Sequence, residues 1–194
     1  QYKCAVDVAN TIEPIEPDNT LGRDAVNWLE HILRVGGKGG VYNVGTVAYG
    51  IVTAYQETQN FTKLVESDEQ AKALGYYPWG GTGFVHLTLE SNYKAMGERL
   101  GLDLINNRLL AARPDIAAQI LFSFISDKPG TGQKIDQKLL AAPNPDFAAQ
   151  RHIVNRDVNK SVSRAPGYPK ITVGQRFQNV GTALIKVLYD CIQY

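Results

Sequence analysis

The chain has 194 residues, 44% hydrophobic, 20% charged and 9% aromatic, with 20 Lys and Arg against 19 Asp and Glu, a formal charge of +1. This composition excludes a disordered, collagenous or disulfide-dense chain and fits one domain with its own core. No apolar run approaches the roughly 18 residues of a membrane span, and no basic surplus is available to neutralise phosphates, so neither membrane nor nucleic acid is an expected partner.

Residues 1–20 hold Pro14, Pro17 and several acids with little periodicity, and read as an N-terminal arm or linker before a domain over 21–194. From Leu21 to Val35, apolar Ala25, Val26, Leu29, Ile32 and Leu33 recur at helical spacing, with Asp18, Asn19 or Thr20 as N-cap. The glycine run 36–40 resembles a phosphate loop only superficially, lacking the Lys-Ser/Thr ending, and reads as a connector. A second helix is predicted from about Gly45 to Thr58, followed by an irregular stretch to Trp79. Phe84-Val85-His86-Leu87-Thr88 follows two glycines and suggests a short strand. Helices are then expected over Asn92 to Leu100, stopped by Gly101, and over Pro114 to Ser126. Residues 127–145 read as loop, Asp146 as the cap of a helix to about Val154, and Thr172-Val173-Gly174-Gln175 as the capping box of the last helix. The fold class is mainly α (α+β), with at most a small β element and no repeats.

Cys4 and Cys191, near opposite ends of the chain, are either a bridge or two buried thiols. A bridge closing so long a loop would contribute on the order of 5 kcal/mol. It is preferred because other features suggest secretion. The chain starts at Gln1 with no Met, as after signal-peptide removal, and Met occurs only once. Asn60-Phe61-Thr62 and Asn159-Lys160-Ser161 are glycosylation acceptor triplets.

Three histidines (His31, His86 and His152) and two distant cysteines give no credible metal cluster, and no cofactor is expected. Carboxylates are more promising. Glu57 ends the second helix, where the helix dipole and neighbours such as Tyr55, Phe61, Tyr76 or Trp79 would favour the protonated acid that glycosidic cleavage needs. Glu66 follows in a loop with Asp68 and Glu69, where solvation would keep it ionised as a base for water. On spacing alone, two surface glutamates are the plainer reading.

A wider pattern supports the catalytic reading. Ala48 to Thr58 resembles the His-Glu-Thr helix of the glycoside hydrolase family 19 chitinases and their phage-endolysin relatives. The likeness resumes at Tyr76-Tyr77-Pro78-Trp79-Gly80-Gly81-Thr82-Gly83, His86-Leu87-Thr88 and Asn92-Tyr93, and continues through Gly101-Leu102-Asp103-Leu104, Pro114 to Ala118 and Ile153-Val154-Asn155. It covers roughly residues 45–190. The resemblance implies a lysozyme-like two-lobed helical globule with a small β element beside a cleft, and hydrolysis with inversion. It implies Glu57 as general acid, Glu66 as second carboxylate, Thr88 as holder of the attacking water, and Asn92 and Asn155 as sugar-binding amides. Gln56 stands where the family has His, Thr82 where it has Arg, His86 where it has Gln, and Arg156 where it has Gly. Gln56, Tyr77, Trp79 and His86 join the expected substrate-binding set.

The resulting expectation is a secreted, monomeric lysozyme acting on the polysaccharide of bacterial peptidoglycan, between N-acetylmuramic acid and N-acetylglucosamine. Chitin is the alternative substrate. An inactive carbohydrate-binding protein, suggested by Gln56 and Thr82, is the competitor from another class.

Overall fold

The computed structural model describes residues 1–16, 20–162 and 168–192. At its centre lies a helix with no polar face. α1 (Tyr2–Ile12) and α2 (Ala25–Gly36) lead to α3 (Val44–Glu57), in which every residue from Val44 to Tyr55 is buried. Burial all round is what a helix enclosed by others requires. The Asn43 side chain caps α3 by accepting from the Thr46 N–H at 2.9 Å. Gly45 lets the next layer close in, since a Cβ there would lie 1.9 Å from the Leu140 carbonyl oxygen.

α4 (Asp68–Ala73) and α5 (Glu90–Leu100) form a smaller region to one side, and Gly101 ends α5 in the left-handed conformation at φ +66°. α6 (Pro114–Ser126) starts with Pro114 in its first turn, as its sequence predicts, and packs against α2, α3 and α5. α7 (Gln137–Leu140) and α8 (Phe147–Gln150) are short, the latter capped by Asp146 and running into a 3₁₀ turn over Arg151–Ile153. α9 (Val173–Cys191) carries the expected capping box, and Val173, Phe177, Val180, Leu184 and Leu188 point into the core against α3 and α1.

Several sequence expectations change. Residues 2–12 are not an extended arm: Cys4, Ala5, Val8 and Ile12, spaced for one helical face, bury α1 against α2 and α9. The prolines at 14 and 17 follow that helix, so they do not prevent it. α2 begins at Ala25 because Gly22 is held against the 60–62 turn, its N–H bonded to the Asn60 carbonyl at 2.8 Å. Thr20 does not cap it, and Pro17, Asp18 and Asn19 lie outside the described residues. Residues 84–88 form no strand. Gly83 at φ +77° and His86 at φ +48° turn the chain, leaving only bridges between Thr82 and Leu87 and between Val65 and Thr82. The turn residues 127–145 also contain α7, whose cap is the Asp136 side chain.

Cys4 and Cys191 are joined, with their Cα atoms 5.5 Å apart, so the bridge reading holds over that of free thiols. The bond ties α1 to the end of α9, two helices that also share core contacts. Replacing both cysteines with alanine should lower stability to urea unfolding by about 2–5 kcal/mol while the helical circular dichroism spectrum is kept.

Candidate active site

α3 ends at Glu57 on the floor of a cleft of about 620 Å³. One wall is the turn carrying His86, Thr88 and Leu89 with Asn92 at the start of α5. The other is formed by Phe124, the Lys128–Thr131 turn and Asn155. Five residues expected from sequence therefore meet here: Glu57, His86, Thr88, Asn92 and Asn155. The Asn92 amide donates to the Thr88 carbonyl at 2.8 Å, fixing the hydroxyl-bearing residue relative to α5. Asn155 has its amide oxygen on the Arg156 N–H at 2.8 Å, which leaves its amide N–H groups as the donors it can offer.

The surroundings of Glu57 differ from the apolar pocket expected for a protonated acid. Its Oε1 accepts a 2.6 Å hydrogen bond from Nη2 of Arg151, a side chain that is only 1% exposed. Arg151 also donates to both carboxylate oxygens of Asp157, at 2.7 and 3.1 Å, and lies 5.0 Å above the Phe177 ring. Burial disfavours the charged guanidinium, but Glu57 and Asp157 more than offset this and hold its pKa above the ordinary value. Glu57 is thus one arm of a two-carboxylate clamp on a single buried cation. Sequence reasoning missed both partners, although Arg151 stands two residues before the matched Ile153-Val154-Asn155 block.

Glu66 is not the solvated loop carboxylate expected. It is 5% exposed, accepts from the Gly81 N–H at 2.9 Å and the Tyr76 hydroxyl at 3.2 Å, and does not line the cleft itself. Tyr76 does line the cleft and stands between them. The imidazole of His86 is held against Gly81, where a Cβ would lie 2.7 Å from Nδ1. Burial lowers the His86 pKa, while the charges of Glu57 and Glu66 pull it upward.

Three expected sugar contacts sit elsewhere. Gln56, on another side of α3, accepts from Arg176 at 3.0 Å and faces a separate polar groove beside Asp157. Tyr77 is 48% exposed with the Lys72 ammonium 4.6 Å above its ring. Trp79 packs on Tyr93 at 5.4 Å between ring centroids, and its carbonyl accepts from the Leu89 N–H. For Gln56 the helix explains this, since it precedes Glu57 on α3 and points about 100° away from it. Thr82, the departure from a family arginine, is itself approached by a guanidinium. Arg108 reaches its hydroxyl at 3.5 Å and Asp68 at 3.4 Å, so a cation from another segment supports this loop. Among the described residues no group of His, Cys, Asp and Glu could hold a metal ion.

This arrangement has counterparts among solved structures. Chitinase C from Streptomyces griseus HUT6037 superposes with a TM-score of 0.59 at 16% identity, over 93% of this chain and 76% of that one. The chain has the fold of the family 19 chitinases. A Glu-to-Gln variant of chitinase C gives a TM-score of 0.62 at 17% identity, over 93% of this chain and 91% of that one. A further bacterial family 19 chitinase gives 0.59 at 18% identity, covering 93% of each chain. No protein-family model and no curated protein matches the sequence.

Two outcomes follow from this geometry. Arg151→Met leaves Glu57 and Asp157 without their shared cation and should cost about 3 kcal/mol of stability in urea unfolding, with a larger loss than any exposed arginine substitution. His86 has a folded pKa below its unfolded value near 6.5, so the unfolded chain takes up the proton first as pH falls. Its contribution is intact above that pH and is lost as pH falls toward the folded pKa. His86→Gln should therefore show a smaller drop in urea midpoint between about pH 7.5 and about pH 5 than the parent protein.

Proposed function

We propose that the protein is a secreted glycoside hydrolase of β-1,4-linked N-acetylhexosamine polymers, with Glu57 as general acid. The observation that carries this is the convergence of Glu57, His86, Thr88, Asn92 and Asn155 on one cleft, from positions spread over the chain. The fold supports the same chemistry, since the solved structures it resembles are chitinases. The disulfide fits an oxidising, extracellular compartment.

In this reading a sugar chain lies along the cleft with a scissile oxygen at the Glu57 carboxyl. The ion pair of Arg151 with Oε1 keeps that side chain in one position; before cleavage Oε2 takes up a proton from solvent, which it then gives to the leaving oxygen, returning Glu57 to the carboxylate. Asn92 and Asn155 offer amide groups to the sugar acetamides and hydroxyls, and Thr88 holds the water. Glu66 is proposed as the base through Tyr76: the Tyr76 hydroxyl, which lines the cleft and donates to Glu66, takes the proton of the attacking water as it passes its own to Glu66. Water attack opposite the leaving group would invert the anomeric centre.

Peptidoglycan, cut between N-acetylmuramic acid and N-acetylglucosamine, is the preferred substrate, because the blocks of sequence are most similar to the endolysin-like relatives. Chitin is the second reading, favoured by the solved chitinases that share the fold.

Glu57→Gln should lower turnover by at least about 10²-fold on whichever polymer is cut, with the far-ultraviolet spectrum unchanged. Release of reducing ends from peptidoglycan and from chitin oligosaccharides measures this. Full activity in that variant would remove Glu57 from the acid role, and no release by the parent protein from either polymer would remove the hydrolase reading.

A further inference from the structure

The cleft holds one charged group that the proposed chemistry leaves unused. Lys128 lies half-buried in the wall opposite the His86 turn, on the tight turn that follows α6. Its backbone is fixed: the N–H donates to the Gln133 carbonyl at 2.8 Å, and its carbonyl accepts from the Thr131 hydroxyl at 3.2 Å. Its ammonium lies 5.7 Å from the centre of the Phe124 ring, and no carboxylate among the described residues pairs with it.

The local charge balance sharpens the point. Arg151 is shared between Glu57 and Asp157, so those two carboxylates are committed to one cation. Arg156, beside Asn155, is exposed and has no ion-pair partner among the described residues. Desolvation and the charges of Arg156 and Arg151 lower the Lys128 pKa, the mark of a cation held among like charges. Lys128 therefore stands in the cleft lining as a cation without a carboxylate partner among the described residues, with Arg156 and Arg151 close enough to repel it.

We infer that Lys128 is a specificity-determining residue that receives a carboxylate carried by the glycan, so that the cleft favours an anionic amino-sugar polymer over a neutral one. A carboxylate beside Lys128 would relieve the repulsion and add a charge-assisted hydrogen bond in a partly desolvated place. A chain of N-acetylglucosamine alone offers no such group. A chain containing N-acetylmuramic acid offers one, either on the lactyl ether of the sugar or on the peptide attached to it. The inference rests on the cleft being the glycan site and deepens the choice between the two polymers.

The test compares Lys128→Met, which keeps an unbranched apolar stem over Phe124, with Lys128→Arg, which keeps the charge. Three glycans of matched length are used: peptide-stripped peptidoglycan strands with free lactyl carboxylates, strands with peptides attached, and N-acetylglucosamine oligomers. Equilibrium binding is measured at low ionic strength in the Glu57→Gln background, and initial rates in the parent background. The ratio of affinities for carboxylated over neutral glycan should fall about tenfold in Lys128→Met and persist in Lys128→Arg. Added salt should narrow the ratio in the parent and much less in Lys128→Met. Preference for stripped strands assigns the lactyl carboxylate, and preference for strands with peptides assigns the peptide. A ratio that is absent in the parent, or unchanged in Lys128→Met, overturns the inference. Retained binding preference without any turnover would reject hydrolysis while supporting the role of Lys128.

Discussion

The guanidinium of Arg151 is buried at the point where α3, the 3₁₀ turn after α8, and α9 come together. Burying a cation there is tolerable only because two carboxylates and an aromatic face receive it, and those partners come from three separate segments. Glu57 brings the end of α3, Asp157 brings the following loop, and Phe177 brings α9. The interaction therefore does two things at once. It fixes how the chain returns over the central helix, and it leaves a carboxylate oriented at the base of an open cleft. Asn155 and Arg156 lie between Arg151 and Asp157 in sequence, so the same clamp sets where that cleft wall runs.

Such a site has a structural cost. A glutamate held by a cation is a well-placed carboxylate, whereas the general acid of a glycosidase must carry a proton when the bond breaks. The apolar neighbours expected from sequence would have favoured the proton directly. The observed pairing instead sets a buried guanidinium against Glu57. The buried Glu66 is held by hydrogen bonds from the Gly81 N–H and the Tyr76 hydroxyl rather than by solvent.

What could be read from the sequence was local. α6 and α9 announce themselves through a first-turn proline and a capping box, and α3 and α5 through periodicity and a terminal glycine. α1 was hidden because the prolines and acids that follow it dominate the composition of the first 20 residues. The apolar run at 84–88 suggested a strand because hydrophobicity does not show backbone angles, and His86 adopts a positive φ that few residues other than glycine favour. In the cleft, blocks of resemblance found Glu57, Thr88, Asn92 and Asn155. They did not find Arg151, because it meets Glu57 across 94 positions of sequence, and a long-range ion pair leaves no local pattern. Lys128 was invisible for a similar reason, sitting in a stretch that read only as loop.

The near-neutral charge of the chain also takes on a different meaning once the charges are placed. Lys128 in the cleft lining and the exposed Arg156 near it have no carboxylate partner among the described residues, whereas Arg151 is held by two.

The most direct test of the account is a crystal structure of the Glu57→Gln protein with an N-acetylhexosamine oligosaccharide long enough to span the cleft. The account predicts that a glycosidic oxygen lies within about 3 Å of the substituted side chain, with acetamide or hydroxyl groups on Asn92 and Asn155. An oligosaccharide seated in the groove beside Gln56 and Arg176, or anywhere that leaves residue 57 without contact to a glycosidic oxygen, would contradict it.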